Sequence, residues 1–309
     1  MKKKVSICLT FDVDEDAKSS FDNFSWQGIE KGIPLILSVL DDVFNDVKKA
    51  YTTWFVRCDP PLNMIYGSYS YLFERYQDVW NNLVDLKHEI GWHGHIYKMS
   101  ENNWVQETDD NMVNTQILNS LKSMTKAFKR PNVTRLGGLF GSNKCIETLD
   151  EYGIIADCSA LPGRKVKNDK NVFDWLKSPL EPFNPSYNNY SIPGKNSYKT
   201  LEIPLSISKF KFPYDKMPFK RYIDLTYNEN IFSQFLNHYK KNISSLITIS
   251  HPDKVIKPEF SENDVIYDYS IECFKKNLIS LLSILEQNNV EYNLITISDL
   301  VNKSHKWKK

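Results

Sequence analysis

Runs of β-branched, aliphatic and aromatic residues alternate along this chain with stretches whose apolar positions recur every three or four residues. The runs predict strands at Val5–Phe11, Thr52–Arg57, Glu89–His93, Val133–Gly137, Gly153–Asp157, Leu201–Ser206, Leu246–Ser250 and Asn293–Ile297. Leu35, Leu37, Val39, Leu40, Val43 and Val47 have helical spacing between the first two strands. Leu72, Phe73, Tyr76, Trp80, Leu83 and Val84 have it before the third. Val113, Ile117, Leu121 and Met124 mark another helix, and Phe274, Leu278, Leu281, Leu282 and Leu285 mark the last. Alternation of strand and helix predicts a parallel α/β sheet, open or closed into a barrel. Only Leu161–Lys199, rich in Pro, Asn, Tyr and Ser, is long and without either period. Its aromatics Phe173, Trp175, Phe183, Tyr187 and Tyr190 argue against disorder and suit either a substrate lid or a packed cover.

Composition narrows the picture. The chain has 309 residues, 41% hydrophobic and 25% charged, enough to bury the core of one barrel-sized domain over 1–309. The formal net charge of +1 gives no global field for nucleic acid. The basic tail Lys303–Lys309 reads as a solvated end. Five cysteines (Cys8, Cys58, Cys145, Cys158 and Cys273) include no CxxC pair, so neither a disulfide framework nor a cysteine-built zinc site is expected. The apolar run after Lys2-Lys3-Lys4 is too short for a signal peptide, and no run approaches the ~20 residues of a membrane helix. The expected compartment is the cytoplasm. The oligomeric state is left open.

Candidate chemistry clusters at strand ends. Along the first strand Ser6, Cys8, Thr10, Asp12 and Asp14 share one face, which sets two carboxylates together at its C-terminal end, where α/β folds place their sites. Gly91-Trp92-His93-Gly94-His95 ends the third strand. If the backbone stays extended through Gly94, both imidazoles face one way and can share a metal. If a helix begins at His93, its neighbour is Tyr97 instead. His88 falls on the opposite strand face and reads as structural. Imidazole and carboxylate together suit zinc or a similar divalent cation. Arg135 precedes Gly137, Gly138 and Gly141, and if buried it requires a carboxylate partner. His251, between a strand and Pro252, is placed for acid/base work. His238 and His305 lack such settings, and no phosphate-binding or nucleophile-elbow motif occurs.

Taken in order, these segments resemble the polysaccharide deacetylases, the NodB-homology group of carbohydrate esterases. Thr10-Phe11-Asp12-Val13-Asp14 is similar to that family's first motif, and His88-Glu89-Ile90-Gly91-Trp92-His93 to its second. Thr52–Val56 resembles the strand between them, Arg135 the third motif's arginine, Asp174-Trp175 the fourth motif, and Leu246–Pro252 the fifth. The resemblance spans Leu9 to Ile297 and implies a distorted (β/α) barrel. It implies Asp12 as general base, Asp14 and His93 as ligands of a divalent metal (zinc by expectation), and His251 as general acid. Arg135 would hold Asp12, with Asp174 and Trp175 in support. Two positions depart from the pattern. The second motif's later histidine falls at Tyr97, so His95 is the expected third ligand, and Gly137 stands where the third motif has proline.

The implied activity is removal of an N-acyl group, N-acetyl by expectation, from a sugar or glycan precursor, with a place in surface-polysaccharide assembly. Two alternatives stand beside it. One is another metal-dependent barrel hydrolase acting on a cyclic amide or phosphoester. The other is a non-catalytic glycan-binding or assembly protein on the same scaffold.

Overall fold

The computed structural model describes residues 3–16, 24–44, 49–237, 245–258 and 264–304; Val47, His238 and His305 lie outside the described residues. The principal elements, in chain order, are β1 (Lys3–Cys8), β2 (Thr10–Val13), α1 (Ile33–Phe44), β3 (Thr53–Arg57), β4 (Glu89–Gly94), α2 (Asp110–Ala127), β5 (Val133–Leu136), α3 (Asn143–Tyr152), β6 (Ala156–Asp157), β7 (Leu201–Glu202), β8 (Ser245–Ile247), α4 (Ile271–Gln287), β9 (Val290–Leu294) and α5 (Ile297–Ser304). They fall into two compact units. The first holds the described residues of 3–16, 24–53 and 206–296, and the second those of 54–205 and 297–304.

The first unit is built on the parallel sheet β9–β1–β8, with Val5 opposite Tyr292 and Ile7 opposite Leu246. The ladder continues past β8. The Thr248 amide donates to the Cys8 carbonyl (3.1 Å), that of Ser250 to Thr10 (3.1 Å), and that of Asp12 to Ser250 (2.9 Å). The predicted first strand is thus two, interrupted at Leu9. Residues 5–13 are buried on both faces, as parallel strands are. In α1 the inward face is Ile33, Ile36, Val39, Leu40 and Phe44, the 3.6-residue stripe counted from Ile33. Leu35, which helical spacing had suggested for the core, is 39% exposed. The Ser270 hydroxyl caps α4 by accepting from the Cys273 amide (3.4 Å), and the five expected residues from Phe274 to Leu285 are buried.

The second unit orders its neighbouring parallel strands β7–β6–β5–β4–β3. His93 stands opposite Arg135, Val133 opposite Ala156, and Glu202 opposite Asp157. β6 is shorter than the predicted Gly153–Asp157 because Gly153 (φ +87°) closes the preceding helix. That helix, α3, was not predicted. Ser142 caps its start by accepting from Cys145 N (3.1 Å). β7 ends at Glu202, two residues before Pro204, which has no amide hydrogen to donate. The Leu72–Val84 pattern forms two helices, Tyr71–Arg75 and Gln77–Asp85, divided where Tyr76 (ψ 35°) leaves the helical well. The predicted strand Asn293–Ile297 ends earlier, and Ile297 begins α5. α2 buries Val113, Ile117, Leu121 and Met124 as expected.

Leu161–Lys199 is not structureless. It forms the hairpins Lys165–Lys167 with Val172–Asp174 and Pro185–Ser186 with Asn189–Pro193. Trp175 is fully buried, donates from Nε1 to the Leu139 carbonyl (2.9 Å), and meets Tyr190 edge-on at 4.7 Å. Phe173, Trp175 and Phe183 are the aromatics of this segment that are buried. Among the described residues no helix is long and apolar enough to cross a membrane.

Candidate active site

In the first unit, β2 and the segment after β8 run parallel and end together. Asp12 is buried at 3% exposure, and Asp14 lies just past the strand with one-fifth of its side chain exposed. His251 Nε2 is 3.5 Å from Asp14 Oδ2. Burial opposes the imidazolium. The hydrogen bond to Asp14 and the charges of Asp14, Asp12 and Asp253 outweigh burial and lift the His251 pKa to about 9. The backbone beside His251 is fixed by close approach. Any Cβ at Gly32 would collide with the Pro252 carbonyl, so only glycine fits there. Asp224 is fully buried on the same unit. Its Oδ1 accepts from the Thr226 amide (2.8 Å) and hydroxyl (2.6 Å), and Tyr267 donates to its Oδ2 (3.4 Å). Burial raises the Asp224 pKa, and the positive charge of His251 pulls it back down.

In the second unit, β4 stays extended through Gly94, so His93 and His95 project the same way. Their rings are 5.0 Å apart at 79°, and the His95 ring is 5.0 Å from that of Tyr97. His93 Nδ1 lies 2.7 Å from the Arg135 carbonyl. A carbonyl only accepts, so Nδ1 carries the proton and Nε2 presents a lone pair, the orientation used by ligating histidines. The His95 amide donates to Asp59 Oδ2 (3.2 Å). Asp59 is also gripped by Arg57 Nε (2.7 Å) and Nη2 (3.0 Å) and caps the Pro60–Tyr66 helix through Leu62 N. A Cβ at Gly137 would overlap the His95 ring. The missing side chain at position 137 is therefore the room that His95 occupies.

Arg135 is fully buried. Its Nε donates to the Cys158 carbonyl (3.0 Å), and its guanidinium lies 4.5 Å over the Phe55 ring. Asp157 is one carboxylate whose charge interacts with this buried arginine. Asp157 is paired across the β6–β7 register with Glu202, and both are fully buried. Burial, then the neighbouring Asp157 carboxylate, drives the Glu202 pKa well upward, while Asp157 rises to about 6 through burial. Burial thus shifts both carboxyls of the pair toward the protonated form, and Arg135 opposes the shift at Asp157.

The remaining sequence candidates have simpler settings. Trp92 is fully buried and donates to the Cys58 carbonyl (2.8 Å). Asp174 is 44% exposed and paired with Lys165 at 2.5 Å. His88 is buried at the start of β4, where burial lowers its pKa to about 4. Glu89 binds the Ser298 amide (3.2 Å) and hydroxyl at the start of α5. Sequence reasoning missed Asp59, Asp157, Glu202 and Asp224. For the first three a signal existed: each acidic residue sits inside or at the end of an apolar run.

No protein-family model matches the sequence, and no curated protein matches it. Solved structures do match. A candidate polysaccharide deacetylase from Mycobacterium smegmatis has a TM-score of 0.56 at 14% identity, covering 99% of this chain and 92% of that one. A candidate glycoside hydrolase/deacetylase from Parabacteroides distasonis has a TM-score of 0.65 at 10% identity, covering 99% and 72%. Puue allantoinase has a TM-score of 0.58 at 14% identity, covering 98% and 90%. At these identities the likeness is one of fold: α/β, a distorted (β/α) barrel of the polysaccharide deacetylase type.

Proposed function

We propose that this protein is a divalent-metal-dependent deacylase that removes an N-acyl group, N-acetyl in the first instance, from a sugar or glycan precursor. The two units act in this proposal as one catalytic domain. The observation that carries it is the fit between His95 and Gly137: a side chain is absent where the second imidazole needs space, and His93 beside it has its tautomer set by a carbonyl. Fold likeness to the two candidate deacetylases supports the reaction class.

Asp14, His93 and His95 would hold the cation, a carboxylate and two imidazoles being a donor set suited to zinc. When bound, the cation supplies Lewis-acid polarisation of the acyl carbonyl and of water. Asp12 accepts the proton of the attacking water, and Arg135, balanced by Asp157, orients Asp12. His251 gives its proton to the departing amine nitrogen. Trp92 and Tyr97 support the histidine strand, and Asp174 with Trp175 braces the Leu161–Lys199 segment. The five buried thiols suit a reducing cytoplasm, where an unfinished surface-polysaccharide precursor is the matching substrate.

The test is acetate release from a panel of N-acetylated sugars and glycan precursors by the metal-loaded protein, with Asp12→Asn alongside. Release by wild type, falling about 10²–10⁴-fold in Asp12→Asn while bound metal is kept, is the expected result. Equal loss of metal in that variant contradicts the assigned roles. The likeness to Puue allantoinase favours one second reading, hydrolysis of a small cyclic amide. Turnover of such an amide with no acetate release from any sugar would select it.

A further inference from the structure

The first unit carries a feature that the reaction does not use. Ile207–Phe210 and Phe219–Tyr222 form an antiparallel hairpin, with Phe210 opposite Phe219. Its tip turns large apolar side chains outward: Tyr214 is 62% exposed, Met217 61% and Phe219 41%. Around them stand Lys209, Lys211 and Lys216, all exposed, and Lys220. Residues 207–222 hold five basic residues against the single acid Asp215, whereas the whole chain sums to only +1.

The tip is held in shape. Arg221 Nη2 binds Asp215 Oδ2 (2.6 Å), and its guanidinium stacks 3.6 Å over Phe212. Asp215 Oδ2 also accepts from the Phe212 amide (2.8 Å), and the Asp215 amide donates to the Phe212 carbonyl (3.0 Å). The Lys211 amide donates to Gln234 Oε1 (3.1 Å). Pro213 and Pro218 have no amide hydrogen. These contacts brace the tip, and its two prolines carry no backbone donor into a poorly hydrated layer. Tyrosine, phenylalanine and methionine ringed by lysines match an interface that is apolar inside and negatively charged outside.

We infer that the 207–222 hairpin tip docks this protein on an anionic lipid bilayer surface. Tyr214, Met217 and Phe219 enter the headgroup boundary, and the lysines meet lipid phosphates. The occupant is argued from charge complementarity: a ring of lysines in an otherwise balanced chain selects an anionic surface over a zwitterionic one.

Co-sedimentation of the full chain with vesicles tests this. One set is equal parts phosphatidylglycerol and phosphatidylcholine, and the other is phosphatidylcholine alone. Wild type should pellet with the first and not the second, and salt should release it. The triple variant Tyr214→Ser, Met217→Ser, Phe219→Ser should stay in the supernatant with both. Lys211→Gln with Lys216→Gln should bind anionic vesicles roughly 25-fold more weakly, about fivefold per lysine. Thermal melts matching wild type certify that the variants fold; if the triple variant does not, the lysine variant and the salt titration decide. The inference is overturned if wild type pellets with neither set, or if both folded variants pellet as wild type does. It is also overturned if sedimentation velocity shows a dimer that the triple variant converts to monomer, since a second copy then covers the tip.

Discussion

The two units support their shares of the candidate chemistry in different ways. In the second unit the histidine strand and Arg135 are held from behind. The fully buried Arg57–Asp59 pair holds the amide of the half-buried His95, the Arg135 carbonyl sets the buried His93, and the charge of buried Asp157 acts on Arg135. In the first unit Asp14 and His251 stand partly open at strand ends, and the ion pairs around the periphery, such as Lys276–Glu229 and Lys275–Asp42, are at the surface. A buried network fixes geometry but is costly to break, whereas a partly open pair can exchange protons and meet substrate. In the proposed reaction the second unit would hold the groups, and the first would exchange the protons.

The sharpest challenge to that contrast is Asp59→Ala. It removes the carboxylate that Arg57 grips in the core and should cost about 3–5 kcal/mol in urea denaturation. The exposed counterpart, Lys276→Ala, should leave the midpoint unchanged, because solvent screens that pair. If the two variants unfold alike, the contrast fails. A somewhat smaller effect is expected from pH. His88 has its folded pKa depressed to about 4, so the unfolded chain binds the extra proton first, at its ordinary value near 6.5. Stability from this group is full above that value and lost as pH falls toward 4, by about 3 kcal/mol. His88→Asn should flatten the acid limb of a stability–pH curve over that window, and an unchanged slope would place the acid sensitivity elsewhere. Smaller again is Gly137→Ala, which should weaken divalent-cation affinity about 10–100-fold by calorimetry, the range for disturbed support of a ligand. The helical signal should be retained, and unaltered affinity would mean that His95 has room to move.

How much of this was legible follows from how far each feature depends on the linear pattern. The eight apolar runs all contribute strands, and the α2 and α4 stripes are correct to the residue, because periodicity alone decides a long amphipathic face. Asp12, Asp14, His93 and His95 were visible because strand alternation fixes their faces. α3 was overlooked although Ser142 and Gly153 mark both its ends; its apolar positions Cys145, Ile146 and Leu149 are too few to stand out. α1 was seen but turned, since Leu35 and Leu37 are as apolar as the residues that face inward. Asp157 and Glu202 stand out as acids within apolar runs, but what they and Asp224 pair with could not be read. Which strand lies beside which, and in what register, sets who faces Arg135 or His251, and no local spacing encodes that. Gly137 was noticed only as a departure; its reason is a ring 42 residues earlier in the chain.

Everything in the proposed reaction turns on one cation being gripped by Asp14, His93 and His95. Metal content by plasma mass spectrometry of wild type, His95→Ala and Tyr97→Phe, each loaded with zinc and then desalted, tests this directly. The account predicts one equivalent in wild type and in Tyr97→Phe, and loss of the ion in His95→Ala. Stoichiometric zinc in His95→Ala, with loss in Tyr97→Phe, would contradict it.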